Sequence, residues 1–333
     1  MTPKNIIILG SARSGTSMVA GTFFGKGYYM GSDLYAGTIS NPKGFFESWD
    51  INSLNEHLLA QVVPRRPSLF FGKWFFRMRP IIGHVGLSAR IPIGTPIPCP
   101  DKIKQKIRKN IGKIPFCFKD PRFSYTLPVW QPFLENVIFI CVFRDPATTV
   151  ASILKLCKDL TVLKSLRMNH KIAFEVWSLQ YRHILETHRH KGDWIFIHYN
   201  QVFTKDGLDR IERLVGTKIN RDFPDLSLNR SKPIYPAPVE AQRAYEQLCA
   251  LAGYSEDGEE ADPRAGEGGC PRGAPRSTAT TTAGSTLPCA CRPHGLPSVS
   301  VRHGPRQRCP TNGALDRPHS NLLWSEYGES GNA

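Results

Sequence analysis

The sequence predicts an α/β fold: a P-loop-like parallel β-sheet flanked by helices, with a disordered C-terminal tail. Three observations predict it. Four short apolar runs recur along the chain, helical patterns separate them, and the composition changes after residue 254. Apolar runs without alternation suit parallel strands buried on both faces. Strands that alternate with helices build βαβ units.

The first strand is expected over Asn5–Leu9 (NIIIL), running into Gly10-Ser-Ala-Arg-Ser-Gly-Thr-Ser17 and a helical pattern over Ser17–Phe24. The second is expected over Phe116–Lys119, the third over Val137–Phe143 and the fourth over Trp194–Tyr199. Helical patterns over Ala147–Lys158, Lys171–His188 and Gly207–Leu214 lie between and after them. Residues 61–115 break this rhythm. They hold several prolines, an aromatic-basic stretch from Phe70 to Arg77 and a basic run from Lys102 to Lys113. Within a domain of residues 1–254 this stretch is expected to form an insertion over the active site, or alternatively an irregular segment covering the core.

A chain of 333 residues, 41% of them hydrophobic, can bury one sizeable core. No apolar run approaches the roughly 20 residues that span a bilayer. The start at Met1 has no charged region followed by a long apolar one, so a cytoplasmic location is expected. Nine cysteines occur without a C-x-x-C pair, which gives neither a zinc pattern nor a disulfide framework. Residues 255–333 carry eight Arg, no Lys and nine acidic residues, a net −1, so of the chain's +15 the rest carries +16. A body that basic favours anionic ligands. The tail has no sustained apolar period and cannot offset its ordering entropy. It is expected to be a disordered low-complexity segment. Runs such as Thr-Ala-Thr-Thr-Thr-Ala-Gly read equally well as translation out of frame.

A glycine-rich turn between a buried strand and a helix N-terminus makes an anion site. Backbone N–H groups converge there and the helix dipole favours negative charge. The turn reads Gly-x4-Gly-Thr-Ser, so Thr16 stands where a nucleotide-triphosphate loop carries lysine. That suits a single phosphate, with Arg13 as the nearby cation. A second anion site is expected where the third strand ends, at Arg144-Asp-Pro, with Ser152 on the following helix. The C-terminal ends of parallel strands are where open α/β sheets bind ligands, and a guanidinium fork with a hydroxyl can hold a phosphate. An arginine after a strand can also serve as a surface ion pair.

Ser11-Ala-Arg-Ser-Gly-Thr-Ser17 resembles the 5′-phosphosulfate-binding loop of sulfotransferases that use 3′-phosphoadenosine-5′-phosphosulfate (PAPS). Arg144-Asp-Pro with Ser152 eight residues on resembles their 3′-phosphate motif. Arg at position 13 resembles the bacterial and carbohydrate-type branches, since the cytosolic small-molecule branch has Lys there. The resemblance covers roughly residues 4–235. It implies PAPS as sulfuryl donor, with Ser11, Arg13, Ser14, Gly15, Thr16, Ser17, Arg144 and Ser152 binding it. Tyr199 resembles a tyrosine that contacts the adenine, or else packs on the sheet. Lys119, in Cys117-Phe-Lys-Asp-Pro-Arg122, matches a lysine of the cytosolic enzymes, but Pro121 stands where their catalytic histidine would be. Asn41-Pro-Lys-Gly-Phe-Phe-Glu47 resembles a segment in which a glutamate serves as base.

The resemblance therefore implies Glu47 as general base, with Arg13 and Lys119 stabilising the leaving phosphate and no metal. Phe45 and Phe46 are expected to desolvate Glu47 and raise its pKa. His57 is the second candidate base. The implied acceptor is a hydroxyl of a glycan or glycolipid, with a small hydroxylated metabolite second. A P-loop nucleotide or small-molecule kinase is the alternative enzyme, but it lacks the loop lysine. A non-enzymatic binder of nucleic acid or anionic surfaces is the alternative without chemistry. It would use the aromatic-basic stretch, yet it leaves the phosphate loop unexplained, so nucleic acid is not expected as a partner.

Overall fold

The computed structural model describes residues 3–38, 41–63, 66–70, 73–78 and 85–256, with the backbone alone for residues 66–78. In chain order β1 (Asn5–Leu9) leads to α1 (Thr16–Phe23) and α2 (Trp49–Val62). An antiparallel pair, β2 (Arg66–Phe70) and β3 (Lys73–Met78), forms a sheet of its own. Then come α3 (Val85–Ser88), α4 (Asp101–Ile111), β4 (Cys117–Lys119), α5 (Phe123–Trp130) and β5 (Val137–Phe143). The rest is α6 (Pro146–Asp159), α7 (His170–Glu186), β6 (Asp193–His198), α8 (Lys205–Val215) and α9 (Val239–Ala252).

The main sheet is parallel throughout, in the order β4-β1-β5-β6. Its apolar runs are continuous because both faces are covered. Ile7, Leu9, Phe118, Phe139, Cys141 and Phe143 point to the face packed by α2, α5, α6, α7 and α9. Ile6, Ile8, Ile138, Ile140 and Val142 point to the opposite face, with Phe23 of α1 and Leu208 and Ile211 of α8. The expected α/β architecture with helices on both sides of a parallel sheet is the one observed.

Chain order reverses at β1: the next strand joins one side of it and the third joins the other. Such a reversal opens a crevice at the C-terminal ends of the strands. The glycine turn from Gly10 to Gly15 leaves β1 at that point.

The second strand starts at Cys117 rather than Phe116, because the Phe116 carbonyl accepts from Ile6 N at 2.8 Å while its residue bridges Tyr29. The fourth runs Asp193–His198 and yields Tyr199 to a 3₁₀ turn. Five helices were not expected, the one-turn α3 among them. α2 hides its apolar face among polar residues, with Ile51, Leu54, Leu58 and Leu59 buried. α4 uses only Ile107 and Asn110 as buried anchors beneath its basic face. α5 carries Pro128 internally, and α9 relies on small residues such as Ala241 and Ala244.

In the stretch 61–115, Val85, Ala89 and Ile91 pack against Leu59 and Tyr125, and Ile107 joins the main core. Residues 85–111 therefore cover core. Residues 64–65, 71–72 and 79–84, and the tail from residue 257 on, lie outside the described residues.

Two buried histidines make the core sensitive to acid. His188 Nε2 donates to the Ser124 carbonyl at 3.0 Å, and burial pushes its pKa down to about 4. His198 accepts from Asn200 N at 3.2 Å and stacks on Tyr254. Burial pushes its pKa down to about 3. Both are neutral in the folded chain, while the unfolded chain protonates them near pH 6.5. Unfolding then takes up protons, so stability is fully present above about pH 6.5 and is lost as pH falls toward about 4. Melting temperature followed across that range is expected to fall. A flat profile would show that these rings charge in the folded chain as readily as in the unfolded one.

Candidate functional site

The turn after β1 is built so that only glycine fits at its two ends. Gly10 has φ +136°, and a Cβ there would sit 2.1 Å from the Val142 carbonyl oxygen. Gly15 has φ +96°, and a Cβ there would sit 2.4 Å from Tyr199 Cδ2. Between them Arg13 holds φ +68°, a left-handed conformation that is uncommon outside glycine and clusters at functional sites. Tyr181 of α7 clamps the turn to β5. Its hydroxyl accepts from Ser11 N at 3.0 Å and donates to the Val142 carbonyl at 2.8 Å.

The expected loop residues divide. Ser11 Oγ is buried with no hydrogen-bond partner among the described residues, and Ser14 and Thr16 are buried too. At Thr16 and Ser17 the N–H groups belong to the first turn of α1, where no intrahelical acceptor exists. Ser17 Oγ donates to the Phe45 carbonyl at 3.1 Å and so ties the loop to the segment that carries Glu47.

The second expected anion site lies against the first. Arg13 Nε donates to Ser152 Oγ at 3.1 Å. Ser152 therefore bridges from α6 to the phosphate loop, a partner other than the Arg144 expected from spacing. The Arg144 guanidinium lies over the Tyr199 ring at 4.5 Å, and its Nη2 donates to Asn229 Oδ1. Tyr199 in turn packs against Gly15, so one aromatic ring joins the two motifs. Arg13 and Arg144 both have pKa values lowered by burial, and Arg144 further lowers that of Arg13. Two guanidinium groups held that close in a half-buried cleft favour an anion between them.

Lys119 sits at the end of β4 opposite Ile8 of β1, two residues before the loop glycine. Its Nζ donates to Glu47 Oε1 at 2.5 Å. Glu47 Oε2 accepts from Asn52 Nδ2 at 3.0 Å and lies 3.6 Å from Arg122 Nη1. Burial beside Phe46 acts to raise the pKa of Glu47, as the sequence suggested. Lys119 and Arg122 outweigh it, and the carboxyl is held below the usual range. The expected rise is thus reversed, because opposite charges a few ångströms away outweigh desolvation. Glu47 is therefore ionised at neutral pH.

His57 Nδ1 donates to the Ser53 carbonyl of its own helix at 2.7 Å, so that ring nitrogen is committed to the preceding turn.

Sequence reasoning missed the support beneath this pair. Arg122 Nε donates to Glu56 Oε1, and its Nη1 donates to Asp120 Oδ1 at 3.0 Å. Glu56 also accepts the N–H groups of Val85 and Gly86 at 2.9 and 3.0 Å, and Asp120 accepts Asn55 Nδ2 at 3.0 Å. Lys-Asp-Pro-Arg was visible as a motif, but its partners come from α2, which was not.

Among the described residues no group of three or more His, Cys, Asp or Glu could hold a metal ion, and no helix is long and apolar enough to cross a membrane.

No protein-family model matches the chain, and no curated protein matches it. Solved structures do. A sulfotransferase domain from the Synechococcus PCC 7002 olefin synthase is 15% identical with a TM-score of 0.40, the match covering 74% of this chain and 95% of that one. A sulfotransferase domain from the curacin biosynthetic pathway is 16% identical with a TM-score of 0.41, covering 74% and 97%. A sulfotransferase from Mycobacterium avium is 13% identical with a TM-score of 0.36, covering 77% and 70%.

Proposed function

We propose that this chain is a sulfotransferase that moves a sulfuryl group from PAPS to an acceptor hydroxyl. One observation carries the reading: two arginine-bearing anion sites, Arg13 in the glycine turn and Arg144 after β5, are joined through Ser152 and Tyr199 beside the Lys119–Glu47 pair. The residues fit a donor with phosphates at both ends. The buried Ser11 hydroxyl has no hydrogen-bond partner among the described residues, and the Arg13 and Arg144 guanidinium groups flank the turn.

PAPS would supply an activated sulfuryl group with a nucleotide phosphate as leaving group. On this reading the glycine turn and Arg13 hold that phosphate, and Arg144 with Ser152 holds the 3′-phosphate over Tyr199. Lys119 stands where an ammonium can share its charge between Glu47 and the leaving oxygen. Glu47 accepts the acceptor's proton as the oxygen–sulfur bond forms and the bond from sulfur to the nucleotide oxygen breaks. Positioned cations carry most of such a displacement. The acceptor is proposed to be a glycan or glycolipid hydroxyl, and the working unit to be residues 1–254. A kinase reading fits less well. Thr16 is buried where a phosphate-reaching lysine would stand, and a triphosphate would lack that charge.

Arg144→Ala tests the second site. It is expected to weaken binding of the product nucleotide 3′,5′-adenosine bisphosphate (PAP) by about tenfold or more, the size of a charge-assisted bond. Binding of 5′-AMP, which has no 3′-phosphate, is expected to change little in calorimetry. Equal loss for both nucleotides would remove the 3′-phosphate from this site.

A further inference from the structure

The proposed nucleotide site contains one polar residue that no motif announced, Asn229. We propose that Asn229 is a positioning and specificity-determining residue for the 3′-phosphate, holding Arg144 in place and offering its own amide N–H to the same phosphate. The inference rests on the PAPS reading and deepens it.

Asn229 Oδ1 accepts from Arg144 Nη2, while Asn229 Nδ2 makes no hydrogen bond among the described residues. An amide has both functions at once: its oxygen accepts from a guanidinium and its nitrogen donates to an anion. An aspartate would keep the shape and the grip on arginine, but it would lose the donor and place a negative charge facing the phosphate.

The residue is held where it can do this. Asn229 N donates to the Leu226 carbonyl at 2.9 Å, closing a 3₁₀ turn capped by the Asp225 carboxylate, which accepts from Ser227 N at 3.1 Å. Asp225 is itself paired with Lys43 at 3.3 Å, and Lys43 Nζ donates to the Phe223 carbonyl at 2.7 Å. The Phe223 ring packs on Phe46 and fills the space over Gly21, where a Cβ would lie 2.0 Å from Phe223 Cε1. The strap from Phe223 to Asn229 is thus fastened to α1 and to the segment bearing Glu47, and its far end grips Arg144. The opposite face of the guanidinium rests on Tyr199 at 4.5 Å. Arg144 is held from two sides by neutral groups, which leaves its charge available to a ligand.

Calorimetry of PAP and 5′-AMP with the full chain, wild type, Asn229→Asp and Asn229→Ala, tests this. Asn229→Asp is expected to weaken PAP about tenfold or more, and Asn229→Ala by a smaller factor, with 5′-AMP within about twofold for both. In a double-mutant cycle the Asn229→Asp loss is expected to persist in the Arg144→Ala background, because the added charge still faces the phosphate, whereas the part of the Asn229→Ala loss that comes from positioning Arg144 is expected to vanish there. If wild type prefers PAP but Asn229→Asp binds it unchanged, Asn229 has no such role while the donor reading stands. If Asn229→Asp loses both nucleotides equally, the residue is structural and the inference is overturned. If wild type shows no preference for PAP, the donor reading fails and this inference falls with it.

Discussion

Arg122→Met is expected to cost the fold about 3–5 kcal/mol, the range measured when one partner of a buried ion pair is removed. Arg122 is 7% exposed, and its guanidinium is the hub of three carboxylates: Glu56, Asp120 and Glu47. Without it, Lys119 still reaches Glu47, while Asp120 loses the guanidinium bonded to it. Burial already pushes the Asp120 pKa up, and Arg122 is the chief force opposing that. The variant would therefore protonate Asp120 or expose it. Either way Glu56 loses its strongest partner while still capping Val85 and Gly86. Urea denaturation with unchanged slope and a lowered midpoint is the expected result. A variant within about 1 kcal/mol of wild type would mean that water or rearrangement replaces the guanidinium readily.

Glu47→Gln is expected to leave PAP binding intact and to lower turnover by about two orders of magnitude or more, the usual size of a general-base loss. Glutamine keeps the bond from Asn52 and much of the shape but cannot take the acceptor's proton. Because Lys119 and Arg122 hold the Glu47 carboxyl below the ordinary range, the wild-type enzyme should show a full rate through neutral pH. Its rate should drop only in strong acid, as pH falls through the lowered pKa and the carboxylate becomes protonated. Retention of most of the turnover in Glu47→Gln would place the base elsewhere.

The fold and the glycine turn after β1 were legible because they are written locally. Ile6 to Gly15 states strand, turn and helix start within ten residues, and Arg144 follows its strand directly. The support of the site was not legible, because its partners are distant in sequence. Asn55 reaches Asp120 across 65 positions, and Asn229 reaches Arg144 across 85. The pKa of Glu47 went the wrong way for the same reason. The neighbouring phenylalanines are visible in the sequence, whereas Lys119 lies 72 positions on. The partnership of Ser152 with Arg13 likewise depends on how α6 sits on the loop, which spacing to Arg144 alone does not specify. α2 was overlooked although Ile51, Leu54 and Leu58 carry a helical period, because Asn52, Asn55 and Glu56 look like surface residues and are buried.

The account depends on a cleft that takes an adenosine nucleotide with phosphate at both ends. Titration of the wild-type chain with PAP, 5′-AMP, ATP and a DNA oligomer in parallel tests it most directly. PAP is expected to bind about tenfold or more tightly than 5′-AMP, and more tightly than ATP or DNA. Equal affinity for PAP and 5′-AMP, or a preference for ATP or DNA, would contradict it.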